Sequence, residues 1–118
     1  MEVYQGFLTG NLVLDLGILA WAIAQGIKVL LDWVANHTAR DARWVTEKPA
    51  DWYERDANGV PLIPWDWSDT AKLNYAEPAV WQGQIESMKF WVMEHAVDGF
   101  RCDMACEVPF DFWKSVIP

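Results

Sequence analysis

One stretch decides how the rest of the sequence is interpreted: GFRCDMA, residues 99–105. It follows a helical pattern over residues 77–95 and has the character of a short buried β-strand with its charges at the far end. Side chains two residues apart share one face of a strand, so Arg101 and Asp103 are predicted to point the same way. The guanidinium would keep the carboxylate ionised, and an α/β barrel presents a nucleophile in this manner at the carboxyl end of a strand. An ion pair that only ties down a loop explains the stretch equally well.

The composition narrows the class of protein and of ligand. The 118 residues make at most one domain, and a hydrophobic content of 53% indicates a packed core. The net charge of −8 argues against nucleic acid and against anionic membrane surfaces as partners. Nine Trp are more than core packing needs. Because aromatic rings stack on the apolar faces of sugars, this excess points to a carbohydrate ligand.

The segment 11–25 is apolar nearly all round, apart from Asp15. It is too short to span a bilayer, which takes about 20 residues, so no membrane partner is expected. It lacks a preceding basic region, so a secretory signal is not predicted and the localisation stays open. We therefore predict a buried helix that ends at Gly26.

A continuous apolar run follows at residues 27–34 and predicts a central parallel strand covered on both faces. The segment DWVANH, residues 32–37, brings three polar side chains to the carboxyl end of this strand: Asp32, Asn36 and His37. Turn formation is the simpler interpretation of Asn36 and His37. One Asp and one His are too few ligands for a metal site.

A long insertion, residues 38–76, separates this strand from the next helix. Insertions of this length inside compact domains are usually functional, and Asn58-Gly59 predicts the tip of a small hairpin. Its aromatic residues are candidates either for the walls of a groove or for a small core of the insertion, and core is favoured for most of them: Trp44, Trp52, Tyr53, Trp65 and Trp67.

Two further helices are predicted. Residues 77–95 form the first, with Pro78 near the start, where proline is tolerated. Its buried face is predicted to carry four residues at helical spacing: Trp81, Ile85, Met88 and Val92. Residues 107–117 begin the second, with Phe110 and Trp113 facing inward.

The predicted order of elements is helix, strand, long loop, helix, strand, helix. Strands that alternate with helices indicate parallel βαβ units. Two strands do not close a sheet, and a complete (β/α)8 TIM barrel needs about 250 residues. The predicted fold class is therefore α/β, a fragment of a TIM barrel with flanking helices and a long loop insertion. Its exposed sheet edges make self-association plausible.

Two segments carry a resemblance to a known family. Residues 32–37 resemble the first signature of the α-amylase family, glycoside hydrolase family 13, at the end of its third barrel strand. Residues 99–105 resemble its second signature, at the end of the fourth. The segment 73–75 with Pro78 is similar to the stretch before the third barrel helix, although Lys72 stands where an acidic residue is usual.

This resemblance runs from about Gly26 to the last residue, and the helix in residues 1–25 matches poorly. It implies that residues 1–118 are a partial catalytic domain. The implied activity is retaining hydrolysis of α-1,4-glucosidic bonds, with an α-glucan or maltooligosaccharide as substrate. The alternatives are a non-catalytic carbohydrate-binding or inactive fragment, and a structural or membrane-associated remnant.

The resemblance also implies a role for each matching residue. Asp103 would be the nucleophile, and Arg101 would hold it ionised. His37 would hydrogen-bond the sugar at the cleavage point. Asp32 would brace the strand end, and Asn36 would be a calcium ligand where calcium is present.

One departure from the family pattern affects these implications. Glu107 falls where many α-amylases carry histidine and where neopullulanase and cyclomaltodextrinase relatives carry glutamate. The departure weakens the calcium assignment and keeps the neopullulanase-like branch open. Glu107 is interpreted as a carboxylate that either contacts the sugar or supports the residues that do. Trp65 and Trp67 are the other candidate sugar-binding residues. The general acid of the family lies on its fifth strand, which would lie beyond Pro118.

Overall fold

The structure is a computed structural model that describes residues 11–117. Its helices are α1 (Leu12–Ala24), α2 (Arg43–Glu47), α3 (Pro78–His95) and α4 (Phe110–Val116). Its strands are β1 (Leu30–Val34), β2 (His37–Ala39), β3 (Thr70–Lys72) and β4 (Gly99–Asp103), and short 3₁₀ helices lie at Ala50–Trp52 and Ala105–Glu107. The strands pair in two separate sheets, β1 with β4 and β2 with β3.

The β1–β4 sheet is parallel, as the alternation of strands and helices predicts. Asp32 lies opposite Arg101, and Val34 lies opposite Asp103. The first strand begins at Leu30 rather than at the predicted Ile27. The backbone of Val29 hydrogen-bonds with Asp98, which lies before β4 and outside the strand pair. Its N–H donates to Asp98 Oδ2 at 2.7 Å, and its carbonyl accepts from Asp98 N–H at 2.9 Å.

One face of this sheet is packed and the other is open. Trp33 is buried, and its ring meets Phe100 edge-on at 5.4 Å. Leu30, whose side chain lies on the opposite face from those of Leu31 and Trp33, is largely exposed. The prediction that β1 is covered on both faces is therefore wrong for the residues described here. The helices pack on one side only, and within residues 11–117 the strands do not close into a barrel.

Helix α1 matches its predicted extent but not its predicted burial. Asn11 caps it by accepting the N–H of Leu14, and Gly26 follows its end with φ +80°. Leu19 and Asp15 are buried, whereas Val13 and Trp21 on the other side are exposed. An apolar pattern all round gives no direction for the buried face, and the described residues cover only one side of the helix. In the described part of the chain, we find no helix that is both long and apolar enough to cross a membrane.

Helix α3 buries a stripe that shares only Met88 with the predicted one. The residues that it buries are Val80, Gln84, Met88 and Trp91. Trp81 and Ile85 are only partly buried, and Val92 is exposed. A polar residue at the centre of the stripe hides this face from a hydrophobic pattern, because Gln84 is buried as the acceptor of the Trp33 Nε1–H at 2.9 Å.

Helix α4 also turns a different residue inward. Phe112 is fully buried, while the predicted inner residue Phe110 is 72% exposed. The Phe112 ring lies against three aromatic rings, those of Tyr75, Trp81 and Trp113, at 5.1, 5.7 and 5.1 Å. Trp113 is partly buried, and its Nε1–H donates to the carbonyl of Ala105. The phase of this short helix is decided by that aromatic cluster.

The insertion has its own core, as predicted for most of its aromatic residues. The buried residues of this second core are Trp44, Trp52, Tyr53, Ala71, Leu73 and Val80. The predicted turn at Asn58-Gly59 is present, with Gly59 at φ +79° and its N–H donating to the carbonyl of Asp56. Helix α3 approaches this core at Gly83, where an added Cβ would lie 2.7 Å from the Trp52 ring.

Candidate active site

A row of three charged side chains, Asp32, Arg101 and Asp103, crosses the open face of the β1–β4 sheet. Arg101 Nη1 lies 3.0 Å from Asp32 Oδ1, and Arg101 Nη2 lies 3.4 Å from Asp103 Oδ1. The strand register produces this arrangement, because Asp32 is opposite Arg101 and Asp103 follows two positions later on the same face. The hydrogen bond with Asp32 and the charges of both carboxylates raise the pKa of Arg101. The guanidinium therefore stays charged between them.

His37 lies near this row of charged side chains, at the start of β2 and just past the end of β1. Partial burial lowers the pKa of His37 below its usual 6.5, and the charge of Asp103, followed by that of Asp69, acts in the opposite direction. The imidazole is therefore neutral at pH 7 and lies within electrostatic reach of Asp103. Asn36 Nδ2 lies 3.2 Å from His37 Nδ1. Because an amide nitrogen only donates, Nδ1 accepts, and Nε2 carries the ring proton.

Asp69 is a carboxylate that the sequence analysis missed, and its charge acts to raise the pKa of His37. It lies just before β3, and its backbone carbonyl accepts the N–H of Arg40 at 2.9 Å. The pairing of β2 with β3 brings it toward His37 from more than thirty positions along the chain. A carboxylate between Ser68 and Thr70 in an irregular segment carries no local signal of this proximity.

The two candidate sugar-binding tryptophans lie on the same side as His37. The ring centroids of Trp67 and His37 are 5.4 Å apart, and those of Trp65 and Trp67 are 4.6 Å apart. Both tryptophans are exposed, in contrast to Trp44 and Trp52 of the second core. The prediction of core positions for most of these aromatic residues is therefore confirmed for the other three, whereas Trp65 and Trp67 form a surface pair next to the imidazole.

Glu107 is placed differently from the other candidates. It lies in the 3₁₀ turn Ala105–Glu107, after Met104, whose backbone is left-handed at φ +56°. The Glu107 N–H donates to the carbonyl of Met104, and its side chain is exposed. Glu107 therefore belongs to the turn that follows Asp103. The ion pairs of Arg101 described above are made with Asp32 and Asp103.

The described residues do not by themselves fit a calcium site. Ca²⁺ takes about six to eight oxygen ligands. Asn36 is buried, its backbone carbonyl accepts the N–H of Leu73 at 3.1 Å, and its side-chain amide nitrogen faces His37. Within residues 11–117, no group of three or more His, Cys, Asp or Glu side chains is placed to hold a metal. Calcium binding at Asn36 stays a prediction, and no chemical step is assigned to it.

Comparison with known proteins gives several matches. No protein-family model matches the chain. The sequence is 34% identical over 99 residues to the α-amylase MalA of Haloarcula japonica. The aligned region covers 78% of this chain and 15% of MalA. Other curated relatives are named cyclomaltodextrinase, maltogenic α-amylase and neopullulanase. The chain spans between 15% and 19% of the length of the first three curated relatives.

Solved structures match over almost the whole chain. An α-amylase from Lactobacillus plantarum superposes with a TM-score of 0.80 at 38% identity, covering 98% of this chain and 28% of that one. The α-amylase of Geobacillus thermoleovorans, solved in complex with acarbose, superposes with a TM-score of 0.64 at 27% identity, covering 86% of this chain and 25% of that one.

Proposed function

Since the chain is a relative of amylase-type glycoside hydrolases in sequence and a fragment of their TIM barrel in fold, we propose that it carries the nucleophile side of a retaining α-glucan-cleaving site. One observation supports this proposal above the others. Arg101 links Asp32 and Asp103 on the open face of the sheet, and His37, just past the end of β1, lies within electrostatic reach of Asp103.

Asp103 has the surroundings that a carboxylate nucleophile needs. Its Oδ1 faces Arg101, and its side chain is 41% exposed, so a substrate can approach it. We assign Oδ2, the oxygen outside this ion pair, to the attack on the anomeric carbon. The bond from that carbon to the leaving oxygen breaks as the ester to Asp103 forms, and water later hydrolyses the glycosyl-enzyme.

His37 and Asp32 have positioning roles in this proposal. The Nε2–H of a neutral His37 would donate to a sugar hydroxyl next to the bond that is cleaved. Asp32 holds Arg101 at 3.0 Å from the opposite strand, so that the guanidinium is oriented before substrate binds. Orientation of this kind lowers the reorganisation needed when charge develops in the transition state.

The reaction needs a second carboxylic acid about 5–5.5 Å from the nucleophile to protonate the leaving oxygen. The family resemblance expects it on the next barrel strand, and we propose that a further part of a complete barrel supplies it. Glu107 is proposed to contact the sugar. The substrate class is supported by the relatives, among which one amylase was solved with bound acarbose.

A substrate that needs no protonation of its leaving group tests the nucleophile directly. We expect 5-fluoro-α-D-glucosyl fluoride to label Asp103, because fluoride departs without help from an acid. Mass spectrometry of the digested chain should then find one glycosyl group on the peptide that contains Asp103.

The matched control is Asp103→Asn, which keeps the shape of the side chain and removes its charge. No label is expected on this variant. Label that persists in Asp103→Asn, or that is found on another carboxylate, would show that the nucleophile is assigned wrongly. A wild-type chain that takes no label while it binds maltooligosaccharides would favour the second candidate function.

That second candidate is carbohydrate binding without catalysis. The exposed pair Trp65 and Trp67 favours it, because two adjacent indole rings next to a polar cluster form a surface suited to sugar stacking. Calorimetry with maltooligosaccharides and the Asp103→Ala variant separates the two functions. Unchanged affinity in the variant, together with no labelling of the wild type, supports binding alone.

A further inference from the structure

A cavity of about 480 Å³ lies between the insertion and helix α3. Sites for small molecules commonly have volumes of about 300–1,000 Å³, so this cavity is large enough for one. Its lining shares no residue with the candidate active site. We call it the Trp52 cavity, after one of the residues that line it, among which are Trp44, Lys48, Trp52, Gly83, Ser87 and Trp91.

The aromatic walls of the Trp52 cavity are fixed by packing. Trp44, Trp52 and Trp91 are all buried, and the rings of Trp44 and Trp52 meet edge-on with their centroids 5.0 Å apart. Gly83 allows these two rings to approach α3, since an added Cβ would lie 2.7 Å from the Trp52 ring and 3.3 Å from the Trp44 ring. A ligand with an apolar ring therefore meets a surface that is already ordered, which lowers the entropy lost on binding.

One wall also carries a hydrogen-bond donor that is not used. Within residues 11–117, the buried Nε1–H of Trp44 has no hydrogen-bond acceptor. A buried donor without an acceptor destabilises the folded chain, and such groups are rare in native proteins. The cavity that Trp44 lines is therefore suited to a ligand that brings an acceptor.

The charged groups at the cavity indicate the sign of that ligand. The Lys48 ammonium lies 5.1 Å from the centroid of the Trp52 ring and pairs with no carboxylate of the described residues. The carboxylate at the cavity, that of Glu86, accepts a hydrogen bond from Gln82 Nε2 at 3.0 Å. The net charge of −8 repels anions from the chain as a whole, so an anion binds only where a local cation attracts it.

We propose that the Trp52 cavity is a second ligand site and that it binds a small aromatic carboxylate. The carboxylate lies between the Lys48 ammonium and the Trp44 Nε1–H, which are four positions apart at the end of α2. The aromatic ring of the ligand lies against Trp52 and Trp91. The site is independent of glucan cleavage, because its lining and the candidate active site have no residue in common.

The first test is calorimetry of the full chain with 2-naphthoate and with its uncharged amide, 2-naphthamide. We expect 2-naphthoate to bind at one site and its affinity to fall about fivefold in Lys48→Gln, because a partly exposed ion pair is lost. The amide should bind wild type and Lys48→Gln equally, and more weakly than 2-naphthoate binds wild type. The matched control is Lys89→Gln, which removes an exposed lysine of α3 outside the cavity and should leave the affinity for 2-naphthoate unchanged.

The second test locates the ligand by NMR of the ¹⁵N-labelled chain. The nine Trp give nine indole N–H resonances, and Trp44→Phe identifies the one from Trp44. We expect 2-naphthoate to move the Trp44 resonance to higher frequency, because its N–H gains an acceptor, and to leave that of Trp21 on α1 in place. Ser87→Leu should fill the cavity and abolish binding without lowering the unfolding temperature, since leucine favours a helix more than serine does.

Four outcomes would overturn the proposal. They are no binding of 2-naphthoate to wild type, equal affinities of Lys48→Gln and Lys89→Gln, indole shifts as large at Trp21 as at Trp44, and unchanged binding to Ser87→Leu. Competition by maltotriose at the same site would also overturn it, because the cavity would then be assigned to sugar. Labelling of Asp103 by the glycosyl fluoride is a separate measurement, so each of these outcomes leaves the proposed function to its own test.

Discussion

The two faces of the β1–β4 sheet are built from the same ten residues and differ completely in their surroundings. On the packed face, Trp33 is buried and bonds to Gln84 of α3. On the open face, the side chains of Asp32, Arg101 and Asp103 are 60%, 64% and 41% exposed. The alternation of side chains along each strand separates a layer of aromatic packing from a layer of charge by the thickness of one backbone.

This difference teaches that stability and chemistry are separable in this molecule. Burial of aromatic surface contributes most of the folding free energy, whereas ion pairs between exposed side chains contribute little because water and salt screen them. Substitutions on the packed face should therefore unfold the chain, and substitutions on the open face should change the chemistry of a chain that stays folded. Four experiments test this separation, in order of decreasing effect on stability.

The largest effect is expected for Phe112→Ala on the packed side. The ring is fully buried among three other aromatic rings, so its removal leaves a cavity and should cost about 3–5 kcal/mol in the free energy of unfolding. Urea denaturation measures this cost. Phe110→Ala, two positions earlier and largely exposed, should cost about 0.5 kcal/mol or less. Equal costs for the two variants would show that α4 does not dock as described.

A smaller effect is expected for Trp33→Phe. This variant keeps an aromatic ring and leaves the buried Gln84 without the Trp33 donor, which should cost about 1–3 kcal/mol. Adding Gln84→Leu should recover most of the loss, because the unsatisfied amide is then replaced by an apolar group. A double variant that is less stable than Trp33→Phe would contradict the role assigned to this hydrogen bond.

A pH-dependent effect is expected at the edge of the open face. The folded chain lowers the pKa of His37, so the unfolded chain binds a proton more readily. Stability should be complete above pH 6.5 and should fall as the pH drops from 6.5 through the lower folded pKa. Asp103 and Asp69 favour the charged ring and therefore reduce this loss.

Thermal unfolding between about pH 7.5 and about pH 5.5 measures this dependence. The variant His37→Gln should show a flatter profile over that interval, since glutamine does not titrate. If the wild type and the variant lose stability in parallel, another group is responsible for the slope.

The smallest effect on stability is expected for Asp103→Asn. The side chain is exposed and its ion pair with Arg101 is screened, so the unfolding temperature should match that of the wild type within experimental error. The same variant should lose all labelling by the glycosyl fluoride. A large drop in unfolding temperature would show that the row of charged side chains stabilises the sheet. It would contradict the assignment of stability to one face and chemistry to the other.

Several features of the fold were predictable from the sequence for local reasons. The strand at residues 99–103 was predicted correctly from GFRCD, although it is only partly buried and not a buried strand as predicted. The turn at Asn58-Gly59 follows from glycine at a left-handed position. The boundaries of α1 and α3 follow from Gly26 and Pro78. The parallel pairing of β1 with β4 follows from the order of elements.

Other features were not predictable because distant residues decide them. Val92 was predicted to be buried and is exposed, since Gln84 occupies the buried stripe through its bond to Trp33. Phe110 was predicted to face inward, and the aromatic cluster around Phe112 reverses that choice. Asp69 carries no local signal at all and reaches the site through the β2–β3 pairing.

The sequence by itself determined which residues can act and on which side of a strand they lie, because alternation along a strand is a property of the backbone. Arg101 and Asp103 share a face in any strand that contains them both. Only the tertiary structure decided what surrounds that face: the register that places Asp32 opposite Arg101, the position of His37 within electrostatic reach of Asp103, and the exposed tryptophans next to His37. These depend on pairings between residues far apart in the chain, which local pattern does not encode.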